Sequence, residues 1–243
     1  MNENPKLIQT AEEVNDADIA SFNSRFAHFL VKTGKSYVTS DYSYLIDRGI
    51  ENRLLESLLA YLPDGAIIAG GFALSVVAEE QTAKDIDIFF TSKEAFQKTM
   101  DLFLNPPEDT DAWAFKGYSR VDDSEIKDKT RYVALKHATR PHVQLLKMTW
   151  YDGPEHVIDS FDFTISQFAF TNRNFVYNGE AMIDLARKRL VLHRMQFPAS
   201  TLRRLIKYAA KGYYACPGSL AKICTEIQKF TGEPDISSVV YVD

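Results

Sequence analysis

AIIAGGFALSVVAEEQTAKDIDIFF, residues 66–90, is the stretch that decides the fold of this chain. It indicates a strand, a turn at Gly70 and Gly71, a helix, and a second strand that carries Asp85 and Asp87. Residues two apart in a strand point to the same face of a sheet, so the two carboxylates project side by side. The isoleucine that follows each of them can face a core on the other side.

The residue types in this stretch predict a site for a metal ion and a phosphate. Two carboxylates on one face repel each other unless a cation lies between them. Mg²⁺ (or Mn²⁺) suits this position, because it takes carboxylate oxygens together with the phosphate oxygens of a substrate. Gly70 and Gly71 have no Cβ, so they allow close backbone approach and leave N–H groups directed at an anion.

A Gly-Gly turn that opens a helix and is followed by an Asp-x-Asp strand resembles the nucleotidyltransferase superfamily of the DNA polymerase β type. That superfamily includes poly(A) polymerases and CCA-adding enzymes. The resemblance covers roughly residues 50–215 as architecture. It implies an α+β (α/β) fold, in which a mixed β-sheet catalytic core is followed by a small C-terminal helical region.

The resemblance also implies an activity, the transfer of a nucleoside monophosphate from a nucleoside triphosphate to a hydroxyl acceptor with release of pyrophosphate. ATP is the expected triphosphate, from its frequency in the superfamily. Asp85 and Asp87 would bind the catalytic metal ions. Gly70 and Gly71, helped by the Ser75 hydroxyl, would hold the β- and γ-phosphates.

A third carboxylate is expected from the run VIDSFDFTISQFAFT, residues 157–171, which we predict to be a buried strand with a bend. Asp162 lies between two phenylalanines there, and an acid in such a run needs a partner, a metal or a cleft. The resemblance implies a third acid on a later strand, as base and metal ligand, and we assign it to Asp162, with Asp159 as the alternative. Many superfamily members carry this acid on the strand that corresponds to VQLL, where this sequence has Gln144.

The C-terminal stretch LRRLIKYAAKGY, residues 202–213, predicts a basic amphipathic helix. Its apolar positions predict a core stripe made of Leu202, Leu205, Ile206, Ala209 and Ala210. By resemblance to poly(A) polymerases and CCA-adding enzymes, Arg204 and Lys207 would contact the triphosphate, and Tyr208 would stack on or hydrogen-bond the nucleoside. The alternative is a basic helix that faces solvent.

Other segments predict the domain organisation. We expect an N-terminal helical extension over 1–40, a nucleotidyltransferase-like catalytic domain over 41–195 and a C-terminal helical region over 196–243. Within them, the patterns predict helices over 40–62 and 93–105 and a hairpin formed by TRYVALKHA (130–138) and PHVQLLKMTW (141–150).

Composition, charge and missing motifs argue against several classes of protein and kinds of site. The 243 residues carry a net charge of −5, which argues against a broad nucleic-acid-binding surface. The sequence has no run of about 18 apolar residues and no signal-peptide core at its start, so we expect a cytoplasmic protein and no membrane partner. Cys216 and Cys224 are too few for a disulfide framework or a zinc site. The sequence also lacks a P-loop, a dinucleotide-binding G-x-G-x-x-G and an H-E-x-x-H.

Two other functions fit the same residues. The chain could be a catalytically silent member of the fold that binds a nucleotide, RNA or a protein. It could also be an α/β protein in which Asp85 and Asp87 are structural. The acceptor stays open among an RNA 3′ end, a protein and a small molecule, and the sequence does not set the oligomeric state.

Overall fold

The computed structural model describes residues 31–32, 37–40, 53–78, 83–122 and 131–229. These residues divide into two compact units. The first holds residues 31–160 and 166–178, and the second holds 161–165 and 179–229. Most of the predicted N-terminal extension lies outside the described residues, and its described parts, 31–32 and 37–40, form strands.

The first unit is built on a mixed sheet. Its described strands are β1 (Val31–Lys32), β2 (Tyr37–Ser40), β3 (Ala66–Ala69), β4 (Asp85–Phe90), β5 (Ser119–Arg120), β6 (Tyr132–Lys136), β7 (His142–Leu146), β8 (Phe168–Phe170) and β9 (Phe175–Asn178). Within the described chain these nine strands run in the order β1-β2-β9-β8-β3-β4-β7-β6-β5. Only β4 and β7 pair in parallel; the other described pairs in this sheet are antiparallel. The predicted α+β class with a mixed sheet is confirmed.

Helices cover this sheet. They are α1 (Arg53–Tyr61), α2 (Gly71–Val77), α3 (Lys93–Leu104), a 3₁₀ helix (Asp111–Phe115) and α4 (Pro154–Asp159). The predicted helix over 93–105 is confirmed, and Ser92 caps it by accepting a hydrogen bond from the Ala95 N–H at 3.1 Å. Of the predicted helix over 40–62, residues 53–61 form α1, Ser40 ends β2 instead, and residues 41–52 lie outside the described residues.

The predicted hairpin is also confirmed, as the antiparallel pair β6 and β7. Arg140 lies in the turn of this hairpin and holds the segment around the 3₁₀ helix in place. Its guanidinium donates to the Trp113 carbonyl oxygen at 2.5 Å and to the Lys116 carbonyl oxygen. The same guanidinium lies over the rings of Trp113 and Tyr118, with its central carbon 5.5 and 5.3 Å from the ring centroids. His137 completes this cluster, since its Nδ1 accepts hydrogen bonds from two backbone N–H groups of the turn.

The predicted strand over 157–171 is wrong for most of its length. Residues 154–159 form α4, residues 164–166 form a 3₁₀ helix, and only Phe168–Phe170 form a strand. Pro154 at the first helical position favours a helix, because its fixed φ fits a helix start and its missing N–H is not needed there. Most apolar residues of the run are buried as predicted, although Phe161 is half-buried, and they lie in several different local structures.

The described part of the second unit is mainly helical. It contains α5 (Gly179–Ala186), β10 (Arg189–Leu190), α6 (Pro198–Ala210), β11 (Tyr214–Ala215) and α7 (Pro217–Gln228), and β10 pairs in parallel with β11. Asp184 anchors it: this carboxylate is 1% exposed, accepts from the Thr164 hydroxyl at 2.5 Å and forms an ion pair with Arg189 at 2.5 Å. The predicted C-terminal helical region is confirmed.

The predicted core stripe of α6 is wrong. Leu202 and Ile206 are 40% and 63% exposed, whereas the buried residues of the helix include Thr201 and Tyr208. Tyr208 packs edge-on against Phe163 and Tyr213, with ring centroids 6.2 and 6.0 Å apart. A large aromatic ring and a bonded hydroxyl therefore decide which face of this helix is buried.

Candidate functional site

The carboxylate pair lies on β4. Burial alternates along the strand, with Ile86, Ile88 and Phe90 buried on one face and Asp85, Asp87 and Phe89 partly exposed on the other. The side-by-side geometry predicted for Asp85 and Asp87 is therefore present. Apolar anchoring of the opposite face holds both carboxylates at the surface of a rigid sheet.

The glycine turn lies beside this pair because β3 and β4 are antiparallel neighbours. Ala69, the last residue of β3, is the register partner of Asp87, and Gly70 follows it directly. Gly70 has φ 77° and ψ −141°, a conformation that favours glycine, and it precedes the first residue of α2. A Cβ added at Gly71 would meet no atom of the described chain within 4 Å, so the space beside Gly71 is open there.

Ser75 lies on α2, in the helix that follows the turn. It is 4% exposed, and its hydroxyl donates to the Phe72 carbonyl oxygen at 2.8 Å. The hydroxyl hydrogen is thus committed within the helix, and only the oxygen lone pairs remain to contact another group. A phosphate role for Ser75 stays a prediction.

On the other side of β4, the parallel strand β7 sets the neighbours of the carboxylates. Asp85 pairs with His142, and Asp87 pairs with Gln144. Paired residues of adjacent strands project to the same face, so an amide lies next to Asp87. The alternation of β7 places Gln144 on one face, but the sequence holds no signal for the register with β4, so its place beside Asp87 could not be predicted.

On this face of the sheet, the carboxylates of Asp85 and Asp87 can bind a metal ion. Across the described residues, no three His, Cys, Asp or Glu side chains are grouped closely enough to hold a metal. Mg²⁺ is often bound by one or two carboxylates plus substrate phosphates, so Asp85 and Asp87 fit a metal that is bound together with a nucleotide.

Asp162, the predicted third carboxylate, belongs to the second unit and is bonded there. Its side chain is 10% exposed and forms an ion pair with Arg204, whose side chain is 44% exposed. The Thr201 hydroxyl donates to the same carboxylate oxygen at 2.9 Å. The structure thus brings together two of the predicted site residues, Asp162 and Arg204, and adds Thr201, which the sequence analysis missed.

The remaining predicted nucleotide-binding residues lie on the same helix, α6. Lys207 is exposed, whereas Tyr208 is 9% exposed because it packs against two aromatic rings. The alternative third acid, Asp159, ends α4 and accepts a hydrogen bond from the Tyr37 hydroxyl at 2.6 Å. The roles predicted for Lys207, Tyr208 and Asp159 remain predictions.

Comparison with known proteins identifies a family. The model of a family described as "Gabija anti-defense 2 family protein" matches residues 49–188, which is more than half of the 243 residues. No curated protein matches the chain. The matched range includes the glycine turn, the carboxylate pair and Asp162.

Solved structures of CCA-adding enzymes share the fold. A CCA-adding enzyme in complex with ATP matches with a TM-score of 0.57 and 14% identity, over 79% of this chain and 46% of that chain. The Thermotoga maritima CCA-adding enzyme in complex with tRNA matches with a TM-score of 0.56 and 15% identity, over 79% and 46%. This chain spans less than half the length of these enzymes. At identities this low, the likeness shows that the chain shares the fold of these enzymes.

The described part of the chain contains no helix that is both long and apolar enough to cross a membrane.

Proposed function

This chain belongs to the Gabija anti-defense 2 family, and we propose that it is a metal-dependent nucleotidyltransferase. It moves a nucleoside monophosphate from a nucleoside triphosphate, ATP by expectation, to a hydroxyl acceptor and releases pyrophosphate. One observation carries the proposal: the pairing of Ala69 with Asp87 puts the glycine turn beside two carboxylates that share one face of a sheet.

In this proposal the residues of the first unit bind the metal and the phosphates. Asp85 and Asp87 would hold Mg²⁺ or Mn²⁺ together with the phosphates of the nucleotide. When bound, the metal neutralises the triphosphate and lowers the pKa of the attacking hydroxyl. The backbone at Gly70 and Gly71 approaches the phosphates closely, and the Ser75 hydroxyl donates to them in place of the Phe72 carbonyl oxygen.

The residues of the second unit have two proposed roles. Asp162 serves as the third carboxylate, both as a metal ligand and as the base that takes the proton of the acceptor hydroxyl. Arg204 and Lys207 contact the triphosphate, and Tyr208 contacts the nucleoside. Because Arg204 forms an ion pair with Asp162, a change at either residue alters the charge around the other.

The family description suggests the setting for this activity. We propose that the chain acts against Gabija defence and that nucleotidyl transfer is the means. The acceptor is an RNA 3′ end, a protein or a small molecule. Solved relatives in fold bind ATP or tRNA, which supports a nucleotide substrate and keeps RNA among the acceptors.

A second function is a catalytically silent, nucleotide-binding member of the fold. It is favoured by the neutral Gln144 beside Asp87, and by the lack of a three-carboxylate cluster in the part of the chain that the structure describes. A silent protein would bind nucleotide without transferring it.

Labelling by nucleotide transfer separates the two functions. The purified protein is incubated with α-labelled ATP, CTP, GTP or UTP and with Mg²⁺ or Mn²⁺, alone and with total RNA or cell lysate. The double variant Asp85→Ala, Asp87→Ala is compared with Asp101→Ala, which removes an exposed carboxylate from α3. Transfer predicts label with the wild type and with Asp101→Ala but not with the double variant. Absence of label in every mixture, with folded protein, would favour the silent function.

A further inference from the structure

Two buried glutamines in the first unit differ in their hydrogen bonding. Gln167 is fully buried, and both ends of its amide are bonded: its amino group donates to the Ile158 carbonyl oxygen at 2.8 Å, and its oxygen accepts from the Asn178 amide at 2.6 Å. Gln144 is 7% exposed, and its amide makes no hydrogen bond to any described residue. The Gln144 amide atoms are not among the described buried polar atoms that lack a partner, so they reach solvent and are open to a partner from outside the chain.

The surroundings of Gln144 define where that partner lies. In the sheet, one row of register partners runs through Ala69, Asp87, Gln144 and Ala134. The two central side chains are polar and face the same side, and the outer two are methyl groups. The two outer residues of the row therefore extend no side chain longer than a methyl group over the Asp87–Gln144 pair.

The chemistry of an amide beside a carboxylate points to an anionic partner. An ionised carboxylate only accepts hydrogen bonds, so it approaches a phosphate through a cation. The Gln144 amino group has two N–H donors and carries no charge, so it can donate to a phosphate oxygen directly. It does this without adding a third negative charge next to Asp87.

We infer that Gln144 binds the substrate by donating a hydrogen bond from its amide to a phosphate oxygen of a nucleoside triphosphate held at Asp85 and Asp87. This inference rests on the proposed function and adds a binding residue to it. Gln144 is a positioning residue in this assignment, and it takes up no proton.

Matched substitutions at the two glutamines test the inference. Gln144→Met keeps the length of the side chain and removes its hydrogen bonds, and Gln167→Met does the same where the amide is bonded within the protein. The probe is a non-hydrolysable α,β-methylene analogue of ATP with Mn²⁺, with affinity measured by titration calorimetry and folding by the melting temperature. We expect Gln144→Met to bind the analogue about tenfold to a hundredfold more weakly and to melt like the wild type. Gln167→Met should melt at a lower temperature, because it removes both of these hydrogen bonds from a fully buried position.

Gln144→Glu tests the chemistry of the contact. It removes the donors and adds a charge, so it should weaken binding of the analogue while it strengthens binding of Mn²⁺ alone. Equal affinity of Gln144→Met and wild type for the analogue would overturn the inference. So would a fall in melting temperature equal to that of Gln167→Met, or a wild type that binds no analogue.

The readouts keep this inference separate from the proposed function. A wild type that binds the analogue but transfers no label would contradict nucleotidyl transfer, and the affinities would still decide the role of Gln144. A wild type that transfers label, with Gln144→Met unchanged in affinity, would contradict the role of Gln144 alone.

Discussion

The carboxylate of Asp162 accepts a charged hydrogen bond from the guanidinium of Arg204, although the sequence predicts separate roles for them, one at the metal and one at the triphosphate. The pair lies within the second unit and joins the segment 161–165 to α6. Thr201, one helical turn before Arg204, binds the same oxygen. These contacts make the pair a structural element as well as a candidate part of the site.

Removal of Arg204 should therefore destabilise the protein. Arg204→Ala leaves the Asp162 carboxylate, 10% exposed, without its charged partner. Because Arg204 is itself 44% exposed, we expect a loss of about 1 kcal/mol in the free energy of unfolding. Lys207→Ala, an exposed position on the same helix, serves as the control and should change stability little. Equal stability of the two variants in urea denaturation would contradict a structural role for the ion pair.

The two glycines of the turn should respond differently to alanine. Gly70→Ala places a side chain at φ 77° and should cost about 1–3 kcal/mol of stability. Gly71→Ala adds a methyl group in open space at a helix start, so it should leave the melting temperature unchanged. If phosphates approach this turn, Gly71→Ala should nevertheless bind nucleotide more weakly. Full binding by Gly71→Ala would exclude close phosphate approach at this residue.

The buried face of α6 can be checked by stability alone. Leu202→Ser and Ile206→Ser change exposed side chains and should alter the free energy of unfolding by no more than about 0.5 kcal/mol. Tyr208→Ala removes a ring packed between two others and should cost about 3 kcal/mol or more. If the leucine or isoleucine variant lost more free energy of unfolding than Tyr208→Ala, the buried face would be the apolar stripe that the sequence predicts.

His137 should titrate at low pH. Burial, and then the charge of Arg140, lower the pKa of His137 below its ordinary value of 6.5. A lowered pKa in the folded state means that the neutral ring contributes stability above pH 6.5, and that this contribution is lost as the pH falls through the folded pKa. NMR titration of the His137 ring should give a pKa below 6.5, and Arg140→Ala should raise it. A pKa at or above 6.5 in the wild type would contradict the turn geometry.

The parts of the fold that the sequence predicts well are set by local chemistry. Gly70 with Gly71 and the alternation around Asp85 and Asp87 each act within a few residues, and the structure contains both elements. The run over 157–171 was misjudged because its phenylalanines suit any buried structure, whereas Pro154 upstream begins a helix.

The neighbours of the site could not be predicted, because they depend on long-range pairing. The place of Gln144 beside Asp87 follows from the parallel register of β4 and β7, which are about 50 residues apart in the chain. In the same way, the bond from Arg204 to Asp162 joins residues 42 apart, and the side of α6 that packs is decided by Tyr208. Residue types therefore indicated the chemistry, and tertiary packing decided which of them meet.

Transfer of labelled nucleotide by Asp87→Asn tests the central claim most directly. This variant keeps the shape of the side chain and removes the charge that the metal needs, so the melting temperature should stay that of the wild type. We expect label incorporation to fall about a hundredfold or more relative to wild type. Incorporation at the wild-type rate by a folded Asp87→Asn protein would contradict nucleotidyl transfer at this carboxylate pair.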